Sequence, residues 1–138
     1  MDKEIKRIEK YAKEHNVPIM EKTGIDFLTE YIKEHNVKNI LEIGTAIGYS
    51  AIKMALVDDK IKVTTIERDN ERYLEALKNI KEFGLEKRIT LVLGDASLVD
   101  VSVIVLVPFS PTIIKVLPSL YVVSVIVFSG VPSAFAPS

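Results

Sequence analysis

The sequence predicts an α/β domain in which a parallel sheet is flanked by helices. Three observations support this prediction. Short segments rich in Ile, Val and Thr alternate with amphipathic helical segments, each of the strand-like segments is followed by a glycine or a polar residue, and a length of 138 residues suits a single domain. Strands that alternate with helices form βαβ units, in which right-handed crossovers join parallel strands.

Two helices are predicted ahead of the first strand. The first spans residues 2–15, with Asp2 as its cap and Asn16 as the left-handed residue that ends it. The second runs from about residue 24 to residue 35. The two helices end in similar Tyr-x-Lys-Glu-His-Asn-Val segments, which predict two equivalent C-caps rather than a repeat array or a histidine pair that binds a ligand. Their predicted apolar positions are Ile5, Ile8, Tyr11 and Ala12 in the first helix and Phe27, Leu28, Tyr31 and Ile32 in the second.

Three strands and two helices follow in alternation. The strands are predicted over residues 37–43, 61–66 and 89–93. A helix from residue 49 to about 56 connects the first two, and a helix from residue 69 or 70 to a closing glycine at 84 connects the second and third. The apolar stripe of the latter helix is predicted to contain Tyr73, Leu74, Leu77 and Ile80.

Candidate ligand-binding residues follow each predicted strand: the segment Gly44–Gly48, then Glu67, then Asp95. Open parallel sheets bind ligands beyond the carboxyl ends of their strands. Glycines allow close approach of the backbone, and the start of the next helix offers free N–H groups. Glu67 lies 19 residues after Gly48, near the spacing of a carboxylate that binds ribose hydroxyls. An adenosine-type ligand is therefore predicted.

The loop differs from the dinucleotide-binding fingerprint G-x-G-x-x-G. Residues 42–48, Glu-Ile-Gly-Thr-Ala-Ile-Gly, lack the middle glycine that makes room for a pyrophosphate. Glu42 would be unfavourable beside a pyrophosphate but suits an ammonium or sulfonium group. An NAD-dependent dehydrogenase is therefore the less favoured alternative.

Residues 40–51, Ile-Leu-Glu-Ile-Gly-Thr-Ala-Ile-Gly-Tyr-Ser-Ala, resemble motif I of the class I S-adenosylmethionine-dependent methyltransferases. The resemblance is greatest to the bacterial O-methyltransferase family related to catechol and caffeoyl-CoA O-methyltransferases. Residues 64–68 and 93–96 match the next two motifs of this family in order and spacing. The resemblance covers about residues 16–96. It implies a Rossmann-like class I methyltransferase fold, S-adenosylmethionine as cofactor, and methyl transfer to a hydroxyl group.

The resemblance assigns cofactor-binding roles to ten residues. Glu42 would hold the methionine ammonium, directly or through water, and Glu67 would bind the ribose hydroxyls. The remaining residues are Gly44, Thr45 and Gly48, which shape the loop under the cofactor, Ser50 at its carboxylate end, Arg68, Asp95 and Ala96 around the adenine, and Met20 ahead of the second helix.

Each assignment has a simpler structural alternative. The glycines would then serve only a tight turn, Glu67 would be a solvated carboxylate at a strand end, and Asp95 would be a turn residue. Ser50 would be a hydroxyl at a helix start. For Met20, core packing is the favoured interpretation.

The composition changes abruptly after residue 96. Of 18 basic and 19 acidic residues, only Asp100 and Lys115 follow it, together with five of the six prolines. We therefore divide the chain into residues 1–96, the N-terminal helices plus the cofactor-binding βα units, and a Val/Ser/Pro-rich tail, 97–138. A frameshift, a gene fusion or a sequencing error would explain the change, and a divergent C-terminal half is the alternative. The tail contains two runs of strand-forming composition, 101–107 and 121–128.

The metal site of the family is not found in the sequence. Family members hold a divalent cation, usually Mg²⁺, through an aspartate after the fourth strand and an Asp-Asn pair after the fifth, and the tail has neither. No metal ligands or catalytic residues are therefore predicted, and a catalytically inactive cofactor-binding fragment is the alternative function.

The resemblance and the composition also bear on partners and location. The family implies a small-molecule or tRNA nucleoside acceptor, and its members are often dimeric, so a homodimer is among the expectations. A net charge of −1 gives no positive field to attract nucleic acid. The charged N-terminus, the lack of cysteine and the lack of an apolar run of about 20 residues predict a cytoplasmic protein without a membrane partner.

Overall fold

A computed structural model of the protein describes residues 1–95 and the backbone of two later strands, residues 111–116 and 123–128. These residues form four α-helices and five β-strands. In chain order they are α1 (Asp2–Glu14), α2 (Lys22–Glu34), β1 (Asn39–Ile43), α3 (Tyr49–Ala55), β2 (Lys62–Glu67), α4 (Asn70–Glu82), β3 (Ile89–Leu93), β4 (Pro111–Val116) and β5 (Val123–Phe128).

The strands form one sheet in the order β3-β2-β1-β5-β4. β1, β2 and β3 are parallel, which confirms the predicted α/β fold and its two βαβ units. β5 pairs with β1 in the antiparallel direction, and β4 pairs antiparallel with β5. β5 lies within the predicted run 121–128, β4 was not predicted, and the run 101–107 lies outside the described residues.

The apolar faces of the four helices and one face of the parallel strands form the core. Ile40, Val63 and Ile89 lie at matching register on β1, β2 and β3 and belong to this core. α3 is short and almost wholly buried, because it packs against α1, α2 and the sheet. In the part of the chain that the structure describes, no helix is both long and apolar enough to cross a membrane.

The buried face of α4 agrees with the predicted stripe at Ile80 but differs from it at Leu74 and Leu77. Ala76, Asn79 and Ile80 are buried, whereas Leu74 and Leu77 are 53% and 42% exposed. In α2, likewise, the predicted core position Phe27 is exposed and Ile25 is buried. Periodic spacing identifies several neighbouring stripes of one helix, but only contact with the rest of the chain selects the one that faces the core.

The two helix C-termini adopt the equivalent caps that were predicted. Asn16 and Asn36 have positive φ angles of 51° and 52°. Each preceding histidine, His15 or His35, directs Nδ1 toward the carbonyl oxygen four residues earlier, at 3.0 Å, and stacks on the tyrosine there. The repeated sequence therefore encodes a repeated local structure.

The helix starts agree with prediction at only one of two positions. Asp69 caps α4, since its Oδ1 accepts a hydrogen bond from the Arg72 backbone N–H at 2.9 Å. Asp2 was predicted to cap α1, but the helix already includes Asp2, and no side chain caps it. Asp2 instead lies in the first turn, where a negative charge still favours the helix dipole.

Candidate functional site

The loop after β1 adopts a conformation with three positive φ angles. Gly44 has φ 93°, Ala46 has φ 50° and Gly48 has φ 90°. The backbone N–H groups of Gly44 and Thr45 both donate to the carbonyl oxygen of Ile66, at 2.9 and 3.2 Å. The loop therefore bends toward the carboxyl end of β2.

Gly48 marks the point where the loop becomes helix. It is the N-cap of α3, and a Cβ at this position would lie 3.6 Å from atoms of Ala76 on α4. That distance is an ordinary van der Waals contact, so the left-handed backbone, not a lack of space, is what favours glycine here. Gly48 therefore shapes the loop against α4.

A hydroxyl network surrounds the fully buried carboxylate of Glu42. Thr65 Oγ1 donates to Glu42 Oε1 at 2.7 Å, and Ser50 Oγ donates to Glu42 Oε2. Thr65 also hydrogen-bonds Thr45 Oγ1 at 2.6 Å. Glu42 and Thr65 are register partners on β1 and β2, which places both side chains on one face of the sheet. Ser50 of α3 and Thr65 of β2 thus bind this carboxyl group directly, and Thr45 of the loop supports Thr65.

Burial raises the pKa of Glu42 to about 7. The hydrogen bonds from Ser50 and Thr65 favour the charged form, and the nearby charge of Glu67 opposes it, but the loss of water contact dominates. A cation placed beside Glu42 would lower this pKa again. The site is therefore electrostatically suited to a positively charged group.

Glu67 is buried at the end of β2, with 6% of its surface exposed. Its Oε1 accepts from the Ala46 N–H at 2.7 Å, and its Oε2 accepts from the Asp69 N–H at 2.9 Å. The interpretation as a solvated strand-end carboxylate is therefore wrong. A carboxylate has about four acceptor positions, so two remain for a ligand's hydroxyl groups.

The other predicted site residues differ in where they lie. Met20 is 3% exposed and belongs to the apolar core, which agrees with its core-packing alternative. Arg68 and Asp95 are exposed and follow β2 and β3, so they lie at the same edge of the sheet as Glu67. Ala96 lies outside the described residues.

Sequence reasoning missed two polar residues of this region. Thr65 connects Glu42 to Thr45, and the signal for it was a hydroxyl in a buried strand at the register of Glu42. Asn79 is 1% exposed, and its Nδ2 donates to the Ile47 carbonyl at 2.8 Å. The signal for Asn79 was an amide next to the apolar positions of α4.

The described residues do not form the oxygen-ligand set that the resemblance implies for a divalent cation. Among them, no three His, Asp or Glu side chains converge in a way that could hold a metal ion.

Comparison with known proteins gives a consistent result. A family model described as O-methyltransferase matches residues 2–103, a wider range than the motifs alone covered. A Staphylococcus aureus structure described as a candidate caffeoyl-CoA O-methyltransferase is 39% identical, with a TM-score of 0.65 over 67% of this chain and 44% of that one. Caffeoyl-CoA O-methyltransferase of Stellaria longipes is 29% identical over 95 residues, 67% of this chain and 39% of its own length.

A methyltransferase of a different kind also matches part of the chain. Protein-L-isoaspartate O-methyltransferase of Thermosipho melanesiensis is 47% identical over 57 residues, 41% of this chain and 28% of that protein. The O-methyltransferase of Bacillus cereus, at 16% identity and a TM-score of 0.64, shares the fold over 94% of this chain and 92% of that one. The chain spans about two fifths of the length of the caffeoyl-CoA relatives.

Proposed function

Because the chain belongs to the O-methyltransferase family, we propose that it binds S-adenosylmethionine at the carboxyl ends of β1, β2 and β3 and transfers its methyl group to a hydroxyl oxygen. When bound, the cofactor supplies an electrophilic methyl group on a sulfonium. The described residues contribute by holding the cofactor and fixing its orientation.

One observation carries the proposal: two buried carboxylates, Glu42 and Glu67, lie at the carboxyl ends of neighbouring strands, and both are hydrogen-bonded to loop 44–48, Glu67 directly and Glu42 through Thr65. S-adenosylmethionine presents an ammonium group at one end and a ribose diol in its middle. A buried carboxylate held by hydroxyl groups suits the ammonium, and a carboxylate with two free acceptor positions suits the diol.

The remaining roles follow from position along the same edge. Thr45 and Ser50 orient the Glu42 carboxylate through hydroxyl groups, directly or through Thr65. In this proposal Arg68 and Asp95 border the adenine, with Ala96 after them. Gly44 and Gly48 shape the loop, and Met20 supports it from the core.

The methyl acceptor is a separate question from the cofactor. Relatives named for caffeoyl-CoA and for a protein isoaspartyl residue match 67% and 41% of this chain, so the two matched stretches overlap. The overlapping part therefore carries what those enzymes share, which supports a cofactor role and leaves the acceptor open between a small molecule and a tRNA nucleoside. The alternative is a chain that binds the cofactor and turns nothing over.

Three further predictions accompany the proposal. The protein is expected in the cytoplasm, and a homodimer is expected from its family.

We also propose that residues from about 97 onward come from an altered reading frame, a gene fusion or a sequencing error, because the charges nearly disappear there and the family match ends at 103. Translation of the other frames after codon 96 tests this, since a strand ending in Asp and a later Asp-Asn pair should then emerge.

Calorimetric titration with S-adenosylhomocysteine tests the cofactor site. We expect micromolar binding by the full chain, weakened roughly tenfold or more by Glu67→Ala, the scale for losing hydrogen bonds to a charged group. Glu86→Ala is the matched control, because Glu86 is an exposed carboxylate just before β3, near the amino ends of the parallel strands and away from the proposed site at their carboxyl ends. Equal loss in both variants would contradict the assignment.

Two further measurements distinguish the proposed function from its alternatives, a dehydrogenase and an inactive cofactor-binding fragment. Competition by NAD for the same site would favour the dehydrogenase. Release of S-adenosylhomocysteine from S-adenosylmethionine with catechol, caffeoyl-CoA or tRNA that carries a hydroxylated uridine would establish turnover, and binding without turnover on any of these acceptors would favour the inactive fragment.

A further inference from the structure

Asn79 of α4 connects that helix to loop 44–48. Its side chain is buried, and its Nδ2 donates to the carbonyl oxygen of Ile47 at 2.8 Å. Ala76, one turn earlier on α4, faces Gly48. The helix therefore contacts the second half of the loop at two consecutive residues.

The first half of the loop is held from a different direction. Gly44 and Thr45 donate to the end of β2, and Ala46 donates to Glu67. Ile47 lies between two residues with positive φ angles, Ala46 and Gly48. The Ile47–Gly48 peptide is held on both sides: the Gly48 N–H donates to the Thr45 carbonyl oxygen at 3.0 Å, and the Ile47 carbonyl accepts from Asn79.

Arg7 of α1 determines which way the Asn79 amide points. Its Nη2 donates to Asn79 Oδ1 at 2.8 Å and to Glu82 Oε2 at 2.6 Å. The reverse amide orientation would place NH₂ against the guanidinium and oxygen against the Ile47 carbonyl, and both pairs repel. α1, α4 and the loop are thus connected through one buried amide.

We propose that Asn79 is a positioning residue for the cofactor: its amide holds the Ile47 peptide, and so the loop, in the shape that receives the ligand. The proposal rests on the proposed function of this site. It also gives the first helix a role, because Arg7 acts on the loop through Asn79.

Asn79→Asp tests the proposal at nearly constant side-chain volume. The ionised carboxylate of this variant keeps the interaction with Arg7 but presents an oxygen to the Ile47 carbonyl in place of a donor. Arg7→Met is a second variant, which leaves Asn79 in place and removes what orients it. Arg88→Ala is the stability control. Arg88 donates to three backbone carbonyls at and after the end of α3, and none of these groups is hydrogen-bonded to Asn79 or to loop 44–48.

Two measurements are made on each full-length variant, well below its melting temperature. One is the dissociation constant of S-adenosylhomocysteine by calorimetry. The other is hydrogen exchange of the 44–51 segment in the unliganded chain. We expect Asn79→Asp to weaken binding about tenfold and Arg7→Met about threefold, with faster exchange in the segment, while Arg88→Ala changes neither beyond its global destabilisation.

The outcomes separate this inference from the proposed function. If Asn79→Asp and Arg7→Met weaken binding no more than Arg88→Ala does, the positioning role is overturned. If the wild-type chain does not bind S-adenosylhomocysteine, the proposed function is wrong, and Asn79 has no role in cofactor binding. Exchange of residues 44–51 then decides whether Asn79 holds the loop at all, and equal exchange in all variants overturns that as well.

Discussion

Glu42→Gln should raise the stability of the chain at alkaline pH while weakening its affinity for the cofactor. The carboxyl group is fully buried and receives hydrogen bonds from Ser50 and Thr65. A Gln carbonyl can accept from Ser50. The Gln NH₂ can donate to Thr65 Oγ1 if the Thr65 hydroxyl turns to donate to Thr45, which already lies within hydrogen-bonding distance. The substitution therefore removes the charge and keeps the network.

The size of the effect follows from the pKa of Glu42, which is about 7 in the folded chain against an ordinary value of 4.5 when the group is solvated. Between these values the folded chain binds more protons than the unfolded chain, so the free energy of unfolding falls as pH rises. The contribution is fully present below pH 4.5 and is lost as pH rises through 7. The loss amounts to about 3 kcal/mol of stability.

Urea unfolding followed by circular dichroism between about pH 4.5 and 8.5 measures this contribution. We expect wild type to lose about 3 kcal/mol more than Glu42→Gln over that range, so that the variant is the more stable protein at about pH 8. Glu86→Gln, which neutralises an exposed carboxylate, should follow the wild-type profile. A Glu42→Gln profile with the same slope as wild type would refute the reasoning.

The affinity of the same variant gives an independent test. An ammonium group beside Glu42 favours the charged carboxylate, so binding of S-adenosylhomocysteine should release a proton and tighten as pH rises from about 6 to 8. Glu42→Gln should bind at least about tenfold more weakly at about pH 8 and lose this pH dependence. Unchanged affinity in the more stable variant would mean that Glu42 does not face the ammonium.

Three further substitutions test other parts of the site and its support. Glu67→Gln should lower the free energy of unfolding by about 2 kcal/mol. The Glu67 carboxylate accepts hydrogen bonds from two backbone N–H groups, and in the variant one of them would face an NH₂ group. An unchanged urea midpoint would contradict this. Gly48→Ala should cost about 1–2 kcal/mol because the backbone of Gly48 is left-handed. Gly84→Ala is the comparison in thermal melting, because Gly84 also has a positive φ and a Cβ there would meet open space, so its cost should be similar. Arg88→Ala should cost about 2–3 kcal/mol of unfolding free energy through three carbonyl contacts, with Arg88→Lys recovering only part of it.

Local features of the fold were predictable because their causes lie within a few residues. The three parallel strands, the Asp69 cap and the two Asn C-caps depend on β-branched runs, short polar side chains and tolerance of positive φ. The loop 44–48 and Glu67 could be predicted as candidate site residues for a different reason, since parallel strands bring their carboxyl ends together.

Features that depend on contacts between distant residues were not predictable. Leu74 and Leu77 have the right spacing for a core stripe, but the helix turns Ala76 and Asn79 inward. Small Ala76 allows close approach to Gly48, which helical periodicity alone does not reveal. β4 and its antiparallel pairing with β5 are likewise set by contacts between separate strands rather than by local composition.

By itself, then, the sequence determined the α/β class, the order of the elements from 1 to 95, and the strand-end residues Glu42 and Glu67. Only the tertiary structure decided that Glu42 is fully buried beside Ser50 and Thr65, that Glu67 accepts from the Ala46 N–H, and that Asn79 donates to the Ile47 carbonyl. The physical reason is that burial and hydrogen bonding between residues far apart in the chain arise only when separate elements pack together.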